Sequence, residues 1–230
     1  MRPRPSRRWI WPIAPGTSRE FLLLGGFWVL TVALALGVPN LGTAGLAGVA
    51  TALALGWLFF LRDPERRTEA HPEDYLAPAD GRVVAVRRTP QPLFLEGASL
   101  QVSIFLGVLD VHVNRAPMAG RVAFVRHEPG RFLQAFREEA SQVNEHNWIG
   151  MEQGSRRTLT KQVAGILARR IECWVGSGDV LRAGDRIGMI KFGSRVDLFV
   201  PEPATPHVRE GDRVRAGVTV VARAGAQAPR

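Results

Sequence analysis

Three short stretches carry side chains that could do chemistry together: "PADG" with Asp80, "LDVHVNRAP" with Asp110, His112 and Arg115, and "KFGSR" with Ser194. A hydroxyl, an imidazole and a carboxylate are the ingredients of an activated serine, in which the base takes the hydroxyl proton and the carboxylate orients the base. Singly, each has a plain structural reading. Asp80 before Gly81 suits a turn, His112 between Val111 and Val113 suits a core strand, and Gly193-Ser194 is a common pair. There is no Gly-x-Ser-x-Gly elbow, no Ser-x-x-Lys and no Walker-type glycine loop. His71, His127, His146 and His207 are scattered singly, which gives no metal-ligand spacing, and Cys173, the only cysteine, excludes an internal disulfide.

These groups need a rigid frame, and the texture after residue 76 supplies one. "GRVVAVRR", "QVSIFLGVLDVHV", "GRVAFVRH", "QVAGILARRIECWV", "DRIGMIKFG" and "RVDLFVP" are β-branched runs bounded by Gly, Pro and Asp, as strands are. Cys173 sits in one of them as a small buried side chain. Phe132, Leu133 and Phe136 are spaced helically, so a short helix or ordered excursion is expected there. "GDVLRAG" at 178–184 returns as "GDRVRAG" at 211–217, each followed by a short apolar segment. Two copies cannot make a solenoid; the unit resembles the glycine turns of biotinyl/lipoyl-type barrel-sandwich hybrids, and "PADGRVVAV" fits as a further strand entry. The fold class expected is mainly β, a barrel-sandwich hybrid of lipoyl type, behind an N-terminal hydrophobic helical hairpin.

The hairpin follows from residues 21–38 and 41–61, two uncharged runs separated by Pro39-Asn40. As helices they would be about 27 and 31 Å long, close to one hydrocarbon thickness each. The chain is basic, with a net charge of +9 carried almost wholly by arginine. Arginine suits phosphate and carboxylate partners, so nucleic acid and anionic lipid both qualify on charge alone; the apolar runs favour lipid. Arg2, Arg4, Arg7 and Arg8 precede the hairpin and Arg62, Arg66 and Arg67 follow it. The positive-inside rule then places both ends in the cytoplasm. A spanning and a shallow, monotopic hairpin both satisfy this pattern. The expected organisation is a basic segment 1–20, the hairpin 21–61, a linker 62–76, a β-rich catalytic domain 77–222 and a disordered tail 223–230.

In order, "PADGRVV", "DVHVNRAP", "HEPGRFLQAF", "ASQVNEHN", "QVAGILARRIECWV" and "GDVLRAGDRIGMIKFGSRVDLFVP" resemble the short-form bacterial phosphatidylserine decarboxylases over residues 60–205. The resemblance implies a proenzyme that cuts itself between Gly193 and Ser194. Ser194 Oγ attacks the Gly193 carbonyl to give an ester, β-elimination releases the upstream chain, and hydrolysis of the dehydroalanine leaves a pyruvoyl group on residue 194. Residues 1–193 become a β chain and 194–230 an α chain, a heterodimer whose further dimerisation is left open. The pyruvoyl, the only cofactor implied, would form a Schiff base with the serine headgroup and accept the electrons released with CO2. Phosphatidylserine in an anionic membrane is the implied substrate, with no nucleic acid and no metal.

Long-form members carry Asp-x-His-x-x-His-x-Pro where this chain has Asp110-Val111-His112-Val113-Asn114-Arg115-Ala116-Pro117, so Arg115 stands in place of the second histidine. Arginine cannot serve as a base near neutral pH. The expectation is that His112, partnered by Asp80, covers self-cleavage, with strain at Gly193-Ser194 as the other route. Arg115 and Asp110 become substrate-binding candidates. Arg195, where the long forms have threonine, is expected either at the anionic headgroup or as a solvated strand residue. Two rivals remain: a decarboxylase of a related serine-headed ether lipid, and a non-catalytic membrane adaptor with a lipoyl-like β domain.

Overall fold

The computed structural model describes residues 14, 18–91, 93–134, 139–166, 171–191 and 194–225, which divide into two compact units, residues 10–64 and the remainder. In the first, the uncharged runs form the expected helices α1 (Ser18–Gly37) and α2 (Leu41–Phe60). Asn40 starts α2 with a capping box: its side chain accepts from Thr43 N at 3.0 Å while Thr43 Oγ1 accepts from Asn40 N at 3.2 Å. Trp28 Nε1 donates to Thr51 Oγ1 across the pair at 2.9 Å. α2, with 20 residues, is long and apolar enough to cross a membrane; the apolar part of α1, Leu22–Gly37, is shorter.

The second unit is a β domain. Its strands are β1 (Asp74–Leu76), β2 (Gly81–Gln91), β3 (Gly97–Leu106), β4 (Val113–Arg115) and β5 (Gly120–Glu128), then, after the one-turn α3 (Ala140–Val143), β6 (His146–Gln153), β7 (Arg156–Val163) and β8 (Ile171–Cys173). β9 (Val180–Leu181), β10 (Arg186–Ile190), β11 (Ser194–Pro201), β12 (Ala204–Pro206), β13 (Arg213–Val214) and β14 (Val220–Ala224) complete it. Eight strands form a curled antiparallel sheet in the order β13-β2-β3-β11-β7-β6-β5-β9, and two three-stranded sheets, β1-β14-β12 and β4-β10-β8, accompany it. Val83, Val102, Ile104, Val122, Ile149, Ile187, Val196 and Leu198, all 0–1 % exposed, belong to the central core.

The repeat is larger than the glycine turns alone. Val83 N donates to Asp212 O at 2.9 Å and Gly211 N donates to Val83 O at 2.8 Å; Val122 N to Asp179 O and Gly178 N to Val122 O repeat this, both at 2.8 Å. β13 thereby meets β2 at Gly81, and β9 meets β5 at Gly120. Gly81 and Gly120 share φ near +150° (147° and 153°), and a Cβ would lie 2.1 Å from Phe105 O in one and 2.5 Å from Glu152 O in the other. Only glycine permits that approach.

Several expected elements differ. "QVSIFLGVLDVHV" is two strands: β3 ends at Leu106, and a turn closes where Asp110 Oδ2 accepts from Gly107 N at 2.8 Å. His112 follows that turn, and Val111, His112 and Val113 are all buried instead of alternating. "QVAGILARRIECWV" likewise divides into β7 and β8, with 167–170 outside the described residues. The helix lies at Ala140–Val143 instead of over Phe132 and Leu133, because the Asn144 side chain bonds Leu133 N and O at 2.8 Å and holds that segment extended; Phe136 lies outside the described residues. β1 falls inside the expected linker, paired with β14, which runs two residues into the expected tail.

Candidate active site

Ser194 opens β11, a central strand flanked by β3 and β7. Side chains alternate along a strand, so Ser194 shares a face with Val196, Leu198 and Val200, which belong to the core. Ser194 is 0 % exposed, and its Oγ has no hydrogen-bond partner among the described residues. Buried hydroxyls are ordinarily satisfied, and leaving one unmade costs about 1–3 kcal/mol. Gly193 lies outside the described residues.

The same face carries a chain of amides. Asn147 Nδ2 donates to Gln162 Oε1 at 2.9 Å and Gln162 Nε2 donates to Asn114 Oδ1 at 2.8 Å, all three residues being at most 2 % exposed. Gln162 pairs with Val196, two residues along from Ser194. Asn114 pairs with Gly188 on β10, and two residues earlier His112 O accepts from Ile190 N at 3.4 Å. These pairings step along β10 towards residue 194, so His112 stands at the serine end of the row. His112 Nδ1 lies 2.8 Å from Asp110 O. A carbonyl can only accept, so Nδ1 carries a proton, and in the neutral imidazole the lone pair is then on Nε2.

The remaining sequence-selected residues have other surroundings. Asp80 holds Arg66 through both carboxylate oxygens, at 2.5 and 2.7 Å, and accepts from Ala216 N at 2.7 Å. These bonds pin the segment after the hairpin and the second glycine turn, and none of the three runs to His112. Asp110 binds Gly107 N and Arg213 Nη1, the latter at 3.1 Å, so it shapes the turn leading to His112. Arg115, on the opposite side of β4 from Asn114, is 3 % exposed, donates to Gly184 O at 3.1 Å, and lines a cavity of about 370 Å³ with Arg66, Arg182 and Arg186.

Arg195 is neither solvated nor at a surface. It is 2 % exposed, and its Nε donates to Asp197 Oδ1 at 2.6 Å and its Nη2 to Ser103 Oγ at 2.8 Å. Ser141 Oγ donates to the other Asp197 oxygen at 2.6 Å, and Lys161 Nζ donates to Ser141 O and sits 4.6 Å over the Trp148 ring. Burial pulls the Lys161 ammonium below the ordinary lysine range, with Asp197 opposing. Sequence reading missed this network and the amide chain. Asp197 inside an apolar strand, two residues from Arg195 and so on its face, was the available signal.

The described residues thus combine a pair of apolar helices with a β domain that buries the Ser194 hydroxyl without a hydrogen-bond partner among them. The family model for phosphatidylserine decarboxylase matches residues 54–222. The phosphatidylserine decarboxylase proenzyme of Symbiobacterium thermophilum is 46% identical over 179 residues, covering 77% of this chain and 83% of the relative. Those of Carboxydothermus hydrogenoformans and Chlorobium phaeobacteroides are each 40% identical, over 203 residues (86% of this chain, 94% of the relative) and 210 residues (91% and 97%). The chain belongs to the phosphatidylserine decarboxylase family.

Proposed function

We propose that this chain decarboxylates phosphatidylserine to phosphatidylethanolamine after cutting itself between Gly193 and Ser194, with the pyruvoyl group derived from Ser194 as its cofactor. The observation that carries the reading is the buried Ser194 hydroxyl at the first residue of a central strand, without a partner among the described residues. In the self-cleavage, Ser194 Oγ adds to the Gly193 carbonyl carbon and the C–N bond breaks to leave an ester and a free amine. Loss of the Cα proton then expels the Gly193 carboxylate, and water replaces the resulting enamine nitrogen, which departs as ammonia. In this reading His112, whose Nδ1 donates to Asp110 O, takes the hydroxyl proton through Nε2. Asp80 supports this indirectly, by holding Arg66 and Ala216. The pyruvoyl, once formed, supplies a ketone that accepts the headgroup amine and serves as the electron sink for loss of CO2.

The sheet suits a cut at that bond. Residues 194–225 contribute β11 between β3 and β7, β13 beside β2, and β14 beside β1, so the β chain 1–193 and α chain 194–230 would remain interleaved. The arginines flanking the hairpin support a cytoplasmic placement of the catalytic domain. Intact-mass measurement after denaturation tests the reading. Two chains divided at residue 194, the smaller with a blocked N-terminus reactive towards carbonyl reagents, are expected; a single 25.2 kDa chain in an active preparation would overturn it. Ser194→Ala abolishes both cleavage and CO2 release, and His112→Ala slows cleavage by about 10²–10⁴-fold, the usual contribution of a general base.

A further inference from the structure

Three central strands end together where β11 begins. Ser194 pairs with Leu106, the last residue of β3, Arg195 pairs with Val163, the last residue of β7, and Val163 pairs with His146, the first of β6. The segments leaving that edge, 107–112, 164–166 and α3, therefore surround the serine end of the sheet. They carry Val108 (51 % exposed), Leu109 (74 %), Val143 (39 %) and Ile166 (53 %). Among the described residues of the β domain, Val180 and Val218 are the only other exposed large hydrophobics, on β9 and in the turn before β14.

The tip is also rigid and has a basic shoulder. Gly107 and Asp110 close the turn through two hydrogen bonds, Gly107 N to Asp110 Oδ2 at 2.8 Å and Asp110 N to Gly107 O at 3.0 Å, so Val108 and Leu109 are presented without freedom to fold inwards. Arg213, which pairs with Asp110, and Arg82, which pairs with Arg213 across the strands, are exposed beside it. Aliphatic tips flanked by arginine are the composition that enters an anionic lipid interface.

We propose that this edge is the bilayer-contact surface of the catalytic domain, with Val108, Leu109, Val143 and Ile166 entering the boundary between headgroups and acyl chains. The inference rests on the decarboxylase reading, since its use is to bring the buried Ser194 site to headgroup depth. A second copy of the chain fits less well: four aliphatics on separate loop tips do not make the roughly 1,000 Å² that a stable protein interface buries.

The single cysteine makes the test direct. In a Cys173→Ser background, Leu109→Cys, Ile166→Cys and Val180→Cys are labelled with an environment-sensitive fluorophore. Each full chain is reconstituted into phosphatidylcholine–phosphatidylglycerol vesicles, with or without phosphatidylcholine carrying a nitroxide at acyl carbon 5. Strong quenching at 109 and 166 with little at 180 is expected, in variants that still mature into two chains. Equal quenching at all three positions, in protein that floats with the vesicles, overturns the proposal. So does protection at 109 and 166 that ignores the nitroxide lipid and disappears on dilution into more vesicles, which would mark a second copy. The same quenching in a Ser194→Ala background separates lipid contact from chemistry: loss of processing and CO2 release in the parent defeats the decarboxylase reading and leaves this measurement readable.

Discussion

The two faces of β11 solve burial in opposite ways. On one, Val196, Leu198 and Val200 join the central core, and the polar groups near its start, Ser194 and the Asn147-Gln162-Asn114 chain, are uncharged. On the other, Arg195 and Asp197 form a buried ion pair backed by Ser103, Ser141 and Lys161, before Phe199 joins a small cluster with Trp148 and Leu159. Burying charge is rarely the most stabilising choice; an apolar pair of similar volume often does as well. What a buried pair does impose is register, because a one-residue slip would turn Arg195 and Asp197 into the apolar core. The polar groups named on the serine face are therefore uncharged, while the charged face fixes which residue of the strand stands at its start.

Breaking the pair tests this most severely. Asp197→Ala leaves the Arg195 guanidinium buried beside Lys161 with its anion gone, and should cost about 3–5 kcal/mol. Thermal unfolding should show the loss, and processing at residue 194 should slow with it. Leu198→Ala, the adjacent residue on the other face, should cost about 3 kcal/mol through the cavity it leaves, while protein that remains folded still matures. If Leu198→Ala blocks maturation as strongly as Asp197→Ala at matched stability, the assignment of register to the charged face is wrong. Gln162→Leu sharpens the comparison from the serine side. It strands the Asn147 and Asn114 amides at about 1–3 kcal/mol. Its signature is a fall in kcat beyond that of Leu198→Ala variants of equal stability.

Much of this frame was legible in the residues. "GRVVAV", "GRVAFV" and "RVDLFVP" became β2, β5 and β11 because period-two patterning and glycine turns are local signals. The duplicated Gly-Asp turns marked where β9 and β13 join the sheet. The break before His112 was hidden because Val108, Leu109 and Val111 continue the apolar run, and what ends the strand is a side-chain bond from Asp110 back to Gly107. Asp80's attachment to Arg66 was equally hidden: both lie in stretches that read well locally, as a turn and as a post-membrane basic cluster, and only the fold brings them together. The second copy of the repeat supports that reading of Asp80. Ala119 occupies the corresponding place before Gly120, so the turn itself does not require the carboxylate.

The mildest test uses pH on the charged face. His146, at the start of β6, donates through Nδ1 to Asn144 O at 2.7 Å, lies 3.1 Å from Glu128 and packs edge-on against Trp148 at 5.5 Å. Burial holds its pKa below the ordinary 6.5, with Lys161 adding to the depression and Glu128 opposing it. The folded protein therefore prefers neutral His146, whereas the unfolded chain takes up the proton near its ordinary value. Stability from this group is present above about pH 6.5 and is lost as pH falls below it, because the unfolded state then binds more protons. His146→Gln removes the titration, so the difference in Tm between parent and variant should shrink steadily from pH 7 to pH 5.5. Parallel Tm curves over that window would show that His146 is not held neutral, and that the buried cations of this face do not extend their influence to the first residue of β6.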